Sequence, residues 1–483
     1  MHGTSYAWPI LFCFVTSVGT SQDAGDTHPT AREIARRIIV DSLQDPDPGT
    51  VYMTLRLVGS YRCPGLSSPL SAIILDASQT VSIRRSALSV LTRLPQDADS
   101  RRVCQSLLSE QTSTSLGLNA LTASKDLGLD WQHVKQYVFE ILEADTPDWS
   151  AIQFAMIAAN QHDAKDLSAC IARCVQRATK KHVSSYTDEG SALKCIRAVM
   201  PGVPLIQQDD AGCLYPLLTN KDPRVRLEAA LRWTQLQQEE GAISHDTRRQ
   251  VQLALGDTGL AASRASRSML AASGWTASNW TDIERAVRAA DLIFYGETHH
   301  APGSPVRRHQ KRVVDMMIHD REAKRMWCAF EPSVERQQAG VIEHAASRGL
   351  KPLSAEQNWN TGIALRLFGP RDTECAETIA RCFAEEPASK ILVLRGCAHV
   401  YPGCWLQKRV PAQRKTVTIL SSCNGLGIPV DVAATAVHGD ELVLRSKQFE
   451  NCFYIAEESR LLGNPVFRRV REAIAAREPE RRR

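Results

Sequence analysis

The sequence predicts a chain of more than one domain: an all-α solenoid followed by an α/β domain with a mainly parallel sheet. Three observations carry this. At 483 residues the chain exceeds the roughly 250–300 residues that a single hydrophobic core supports. From about Ala31 to Ala272, Ile, Leu, Val and Ala recur at helical spacing, with few alternating runs. Beyond that point four short, continuous apolar runs ("DLIFY", "RMWCAFE", "KILVLRG" and "TVTILSS") alternate with amphipathic or charged segments. That is the pattern of strands covered on both faces by helices.

The helical half contains segments that align with one another. "VSIRRSALSVLTRL" (Val81 to Leu94), "PRVRLEAALRWTQL" (Pro223 to Leu236) and "ASRASRSML" (Ala262 to Leu270) each set an arginine before small and leucine-like residues. Arg226 and Arg264 stand 38 residues apart, near the ~40-residue period of HEAT-type helix pairs. Asp222, Pro223, Val225, Arg226 and Ala229 resemble the turn and second helix of a HEAT repeat. Such pairs bury their apolar faces only by stacking on neighbours, and the resulting solenoid is expected either to bind a protein partner or to space domains.

Four segments are expected from these shifts: a signal peptide over residues 1–24, the helical domain over 31–274, the α/β domain over 281–460 and a basic C-terminal helix or tail over 461–483. The uncharged apolar run from Tyr6 to Val18, followed by small polar residues, has the form of a secretory signal and is too short for the ~20 residues of a membrane span. Phe12 before Cys13 argues for cleavage over lipidation. Export to the periplasm, the cell envelope or the medium follows. "TDIE" (Thr281 to Glu284) reads as a capping box opening the first helix of the second half.

Composition narrows the function classes. Apolar residues are 43% and charged residues 23% of the chain, the balance of a folded protein, and a net charge of +5 is too small an excess to mark a nucleic-acid surface. Of 14 cysteines, none stands in a CxxC pair, so neither a zinc ribbon nor a thioredoxin-like site is indicated. Cys170 and Cys174, like Cys375 and Cys382, have spacings that place each pair on one face of a helix, as packing residues.

Three strands end in chemistry. "DLIFY" runs into Gly296, Glu297, His299 and His300; "RMWCAF" into Glu331; and "KILVLR" into Gly396 and His399. In open α/β sheets the crevice beyond the strand carboxyl ends is where ligands bind, so the three ends are expected to converge. Gly296 and Gly396 let the chain turn and a ligand approach the backbone. His299, His399 and Glu331 are candidate ligands for a divalent transition metal, whose bound water could serve as a nucleophile. Glu297 and Glu331 are the candidate catalytic carboxylates, Glu297 as the group that takes a proton from that water. On the helix downstream, His309 shares an i, i+3, i+4, i+7 pattern with Val306, Val313 and Met316 or Met317, while "RRHQKR" around it reads as a solvated face. Hydrogen bonding from His309 or Gln310 would fix the Glu297 carboxylate.

Taken together, "LIFYGETHHAPGSPVRRHQKRVVDMM", "WCAFEPSVERQQAGVIE" and "KILVLRGCAHVYPG" resemble the ChaN-like haem-binding uptake domain of the Tiki and TraB superfamily. The resemblance spans roughly residues 282–411. Its motifs fall on Gly296, Glu297 and His299; on His309 and Gln310; on Glu331 and Gln337; and on Gly396 and His399. It implies haem binding tied to iron uptake, with Tyr295, His300, Tyr401 and Trp405 placed to contact haem. Through Tiki and erythromycin esterase-like relatives it equally implies a metal-dependent hydrolase acting on a small molecule or peptide. A third reading is a non-catalytic interaction protein in which the solenoid does the work.

Overall fold

The computed structural model describes residues 29–95, 97–111, 114–184, 189–298, 304, 306–318, 325–332, 335–356, 367–421, 423, 425–438, 441–457 and 463–477. The expected signal peptide and the last residues of the basic tail lie outside them.

The first half is helical throughout. Its helices are α1 Ala31–Leu43, α2 Pro48–Ser60, α3 Ser67–Leu75, α4 Val81–Leu91, α5 Ala98–Gln111, α6 Ser115–Ala123, α7 Trp131–Glu143, α8 Trp149–Gln161, α9 Ser168–Ser184, α10 Glu189–Val199, α11 Pro223–Gln235, α12 His245–Leu255 and α13 Gly259–Ala272. Many starts are set by a polar side chain that satisfies an otherwise unpaired N–H: Thr30 forms a capping box with Glu33, and Asp47, Thr80, Asp148 and Asp222 cap α2, α4, α8 and α11. Helices α2, α4, α6, α8 and α10 form a row in which each touches the next. Arginines fasten the elements together, since Arg84 donates to the Ile74 carbonyl at 2.7 Å and Arg226 to that of Lys221 at 2.9 Å.

The second half alternates strands and helices. In order they are β1 Trp275–Ala277, α14 Trp280–Ala289, β2 Leu292–Glu297, α15 Val306–Met317, β3 Met326–Phe330, α16 Glu335–Ser347, β4 Lys351–Ser354, α17 Phe368–Glu385, β5 Lys390–Gly396, α18 Cys397–Val400, β6 Thr416–Ser421, α19 Val430–Ala436, β7 Val437–His438, β8 Glu441–Ser446, β9 Cys452–Glu457 and α20 Pro465–Ala475. One sheet holds them all, in the order β1-β8-β9-β6-β2-β5-β3-β4, with β7 paired to β8. The strands from β9 to β4 are parallel, and β8 and β1 join antiparallel at one edge. The chain is thus a helical region joined to an α/β region with a mostly parallel sheet. Among the described residues no helix is long and apolar enough to cross a membrane.

The four apolar runs are β2, β3, β5 and β6. Strand β1 precedes the expected start of the α/β region, because Trp275 is buried against Tyr454 of β9 and donates its indole N–H to the Leu426 carbonyl. Helix α14 begins before Thr281 for a related reason: Asn279 accepts the Asp282 N–H and caps the helix, so "TDIE" lies inside it. The two halves share one core. Helix α20 packs on α1 and α2, with Phe467 beside Tyr61, and Arg62 pairs its backbone with residues 428–430. Helix α20, the described part of the expected C-terminal segment, therefore packs with the first helices.

Candidate functional site

Strands β2, β5 and β3 are parallel neighbours, so the strand ends that carry Glu297, Gly396 and Glu331 are adjacent. Glu297 pairs in register with Gly396, and Phe330 with Leu394. Alternation along each strand divides the polar groups between the two faces of the sheet. Glu297 continues the face of Ile293 and Tyr295, which packs on α14, α15 and α16, whereas Arg395 continues the face of Ile391 and Val393, which packs on α17. Burying Ile391, Leu392, Val393 and Leu394 contributes roughly 6–12 kcal/mol, enough to offset the several kcal/mol each of desolvating Lys390 and Arg395 in the same strand.

On the first face Glu297 is held by groups from two helices. Arg307 Nη1 of α15 lies 2.6 Å from Glu297 Oε1 and donates to Gln310 Oε1 at 2.8 Å, while Gln338 Nε2 of α16 donates to the same Glu297 oxygen at 3.0 Å. All four side chains are buried. Glu297 Oε2 has no hydrogen-bond partner among the described residues. Unsatisfied buried carboxylate oxygens are uncommon outside sites that meet a ligand or water.

On the second face a chain of ion pairs runs from Glu331 to Asp372 and ends in a hydrogen bond to His399. Glu331 meets Arg371, which donates to Glu356 Oε1 at 2.7 Å; Glu356 Oε2 accepts from Arg395 at 3.0 Å; Arg395 lies 3.5 Å from Asp372; and Asp372 Oδ1 lies 2.6 Å from His399 Nδ1. Burial opposes the Arg371 charge, but the carboxylates of Glu331 and Glu356 outweigh it and raise its pKa. For Arg395 burial again opposes the charge, and Cys375, Glu356, Asp372 and Glu331 together push the value well above the ordinary one. Phe368, the first residue of α17, stacks on the His399 imidazole with centroids 3.9 Å apart and planes 7° from parallel. A disulfide between Cys397 and Cys423 ties α18, which carries His399, to the segment after β6.

Several sequence expectations are corrected. His309 does not reach Glu297: its ring lies against Trp280, and its Nε2 is 3.3 Å from Glu441 of β8. Gln310 acts one step removed, through Arg307. A glutamine that was not expected, Gln338 beside the expected Gln337, is buried on α16 and donates to Glu297. "RRHQKR" is not wholly solvated, since its first arginine, Arg307, is the ion-pair partner of Glu297. Gly396 has an ordinary φ of -59°, and Gly296 lies inside β2, where a Cβ would come within 2.5 Å of Val400 and 3.1 Å of the Cys397 backbone. Gly296 is thus required by the close approach of α18, not by a turn.

Tyr295 is fully buried in the core and Tyr401 is 5% exposed, with its pKa raised by burial, so neither offers an open face to a macrocycle. Trp405 is half-buried under the Arg409 guanidinium, 3.6 Å from its ring. His299 and His300 lie outside the described residues. The described candidate ligands Glu331 and His399 are each held by a neighbouring side chain. Glu331 is paired with Arg371 and His399 Nδ1 with Asp372, two guanidiniums stand among the carboxylates, and no three His, Cys, Asp or Glu side chains among the described residues group as a ligand set. Compared with known proteins, the chain matches no family model, no curated protein and no solved structure.

Arg371, Asp372, Arg395, Glu356, Arg307 and Gln338 were not singled out from the sequence. Two of them carry a visible signal. Arg395 interrupts an apolar run that is otherwise buried, and Asp372 falls on the stripe Phe368, Cys375, Ala376, Ile379, Phe383 that α17 turns inward.

Proposed function

We propose that the α/β half is a hydrolase domain of the kind suggested by its resemblance to Tiki and erythromycin esterase-like proteins, with His399 as general base and Asp372 as the group that orients it. The 2.6 Å contact between His399 Nδ1 and Asp372 Oδ1 carries this reading. A carboxylate accepts from Nδ1–H, which leaves the lone pair on Nε2. Nε2 takes a proton from water as the water oxygen adds to an acyl carbonyl. It returns that proton to the leaving alcohol or amine when the carbon–heteroatom bond breaks. The Phe368 stack fixes the ring plane. In the pairing from Glu331 to Asp372, three carboxylates face two guanidiniums, and the remaining negative charge balances the imidazolium that forms. The substrate class is an ester or amide.

Haem binding, which the resemblance to ChaN-like proteins also implies, has less support, because Tyr295 and Tyr401 are closed off. For the helical half we read the row α2, α4, α6, α8 and α10, with the Asp222-capped α11, as a HEAT-like solenoid offering a surface to a protein partner. Export through residues 1–24 belongs to the same proposal.

The test is hydrolysis of a panel of p-nitrophenyl esters and chromogenic peptides by the wild type and His399→Gln. The expected result is turnover that falls by roughly 10²–10⁴-fold in a variant that melts like the wild type. A haemin titration giving a Soret shift, with no turnover on any substrate, would overturn the reading in favour of haem binding.

A further inference from the structure

The helical half reaches the site at two points. Asp257, in the turn between α12 and α13, accepts the Gly369 N–H with both carboxylate oxygens, Oδ1 at 2.8 Å and Oδ2 at 2.9 Å. Asp257 Oδ1 also accepts the N–H of Gly259, the first residue of α13, at 2.6 Å. Gly369 is the second residue of α17, between Phe368 and the nearby Arg371 and Asp372 of the same helix end. The Gly369 N–H has no partner within the helix, and an anion is favoured beside it. The second point is Ser263 of α13, buried, whose hydroxyl donates to the carbonyl of Ala398, the residue before His399.

The fit admits no side chain between these elements. A Cβ on Gly259 would lie 2.6 Å from the Gly369 nitrogen, and one on Gly369 would strike the Asp257 carboxylate. Helix α18 has only four residues, too few to hold its own orientation without outside contacts. One side chain of the helical half therefore holds the element bearing Asp372, and another holds the element bearing His399.

We infer that Asp257 and Ser263 are positioning residues for the His399–Asp372 pair, so that the helical half is an integral part of the site and not a separate appendage. The inference rests on the reading of His399 as the base, but its test does not need turnover. The Phe368 ring over the imidazole displaces the His399 carbon-bound proton signals upfield. In the full-length protein with labelled histidine, those signals are assigned by their disappearance in His399→Gln.

Asp257→Ala and Ser263→Ala should each move the His399 signals toward ordinary histidine positions. Asp257→Asn, which keeps one acceptor oxygen, should return them most of the way. Unmoved His399 signals in both alanine variants, with only a lower melting temperature, would overturn the inference and leave the two residues as general braces. If Asp257→Ala does not fold, Ser263→Ala, which deletes a single hydroxyl, decides the same question. Absence of hydrolysis by the wild type would count against the hydrolase reading and leave the positioning result standing.

Discussion

His399 Nδ1 lies 2.6 Å from Asp372 Oδ1, and the two residues arrive there from different elements, α18 at the end of β5 and the N-terminal end of α17. Both are buried, and Asp372 is joined through Arg395 and Glu356 to Arg371 and Glu331. The imidazole therefore sits at one end of a charged chain whose members hold one another in place.

Arg395 is the test of that chain. It is fully buried and paired with Glu356 and Asp372, so Arg395→Met leaves Asp372 without a guanidinium and Glu356 with Arg371 alone. Removing one partner of a buried ion pair costs about 3–5 kcal/mol, and urea unfolding should show a loss of this size. A loss below ~1 kcal/mol, the usual range of an exposed pair, would mean the charges are not buried together in solution.

Glu297 and Arg307 form an independent pair on the opposite face of the sheet, at 2.6 Å. Glu297→Gln and Arg307→Met should each destabilise, and a double-mutant cycle should return a coupling of about 1–3 kcal/mol. Additive losses would place the two groups apart.

Gly296 is packed against Val400 and Leu420, with the Cys397 backbone behind them. Gly296→Ala should cost about 1–3 kcal/mol by overpacking, and it should perturb His399 because the displaced element is α18. Unchanged stability and unchanged His399 signals would show that α18 has room to move.

Alkaline pH should weaken the fold through buried thiols. Burial pushes Cys104, Cys328 and Cys404 each up to about 12 from an ordinary value of 9.0. The folded chain keeps these protons where the unfolded chain has released them. The contribution of each thiol is therefore complete below pH 9 and is lost progressively as pH rises toward 12. Urea midpoints measured from pH 8 to pH 11 should fall, and Cys328→Ala should fall less steeply. A slope identical in the variant would contradict the assignment.

How much of this was legible in the sequence follows from where each residue's partner lies along the chain. Strands β2, β3, β5 and β6 announce themselves because both faces are buried and their apolar runs are continuous. That Glu297, Glu331 and His399 follow the carboxyl ends of neighbouring strands was legible from strands ending in polar residues, but their division between the two faces of the sheet was not. Their partners were harder to see. Glu331 and Arg371 are 40 residues apart, and nothing local distinguishes Arg371 or Glu356 from solvated charges. Arg307 stood among five other polar residues in "RRHQKR", and only the fold shows which one turns inward. Gln337 and Gln338 differ by one position on a helix, a rotation of roughly 100° that decides which of them meets Glu297. Strand β4, short and largely exposed, lacked the apolar run that marked its neighbours.

The most direct test of the central claim is a double-mutant cycle on hydrolysis with His399→Gln, Asp372→Asn and the pair together. If Asp372 acts only by orienting His399, the account predicts that each single variant loses activity and that the double variant is no slower than His399→Gln alone. Full activity in His399→Gln, or losses that multiply in the double variant, would contradict it.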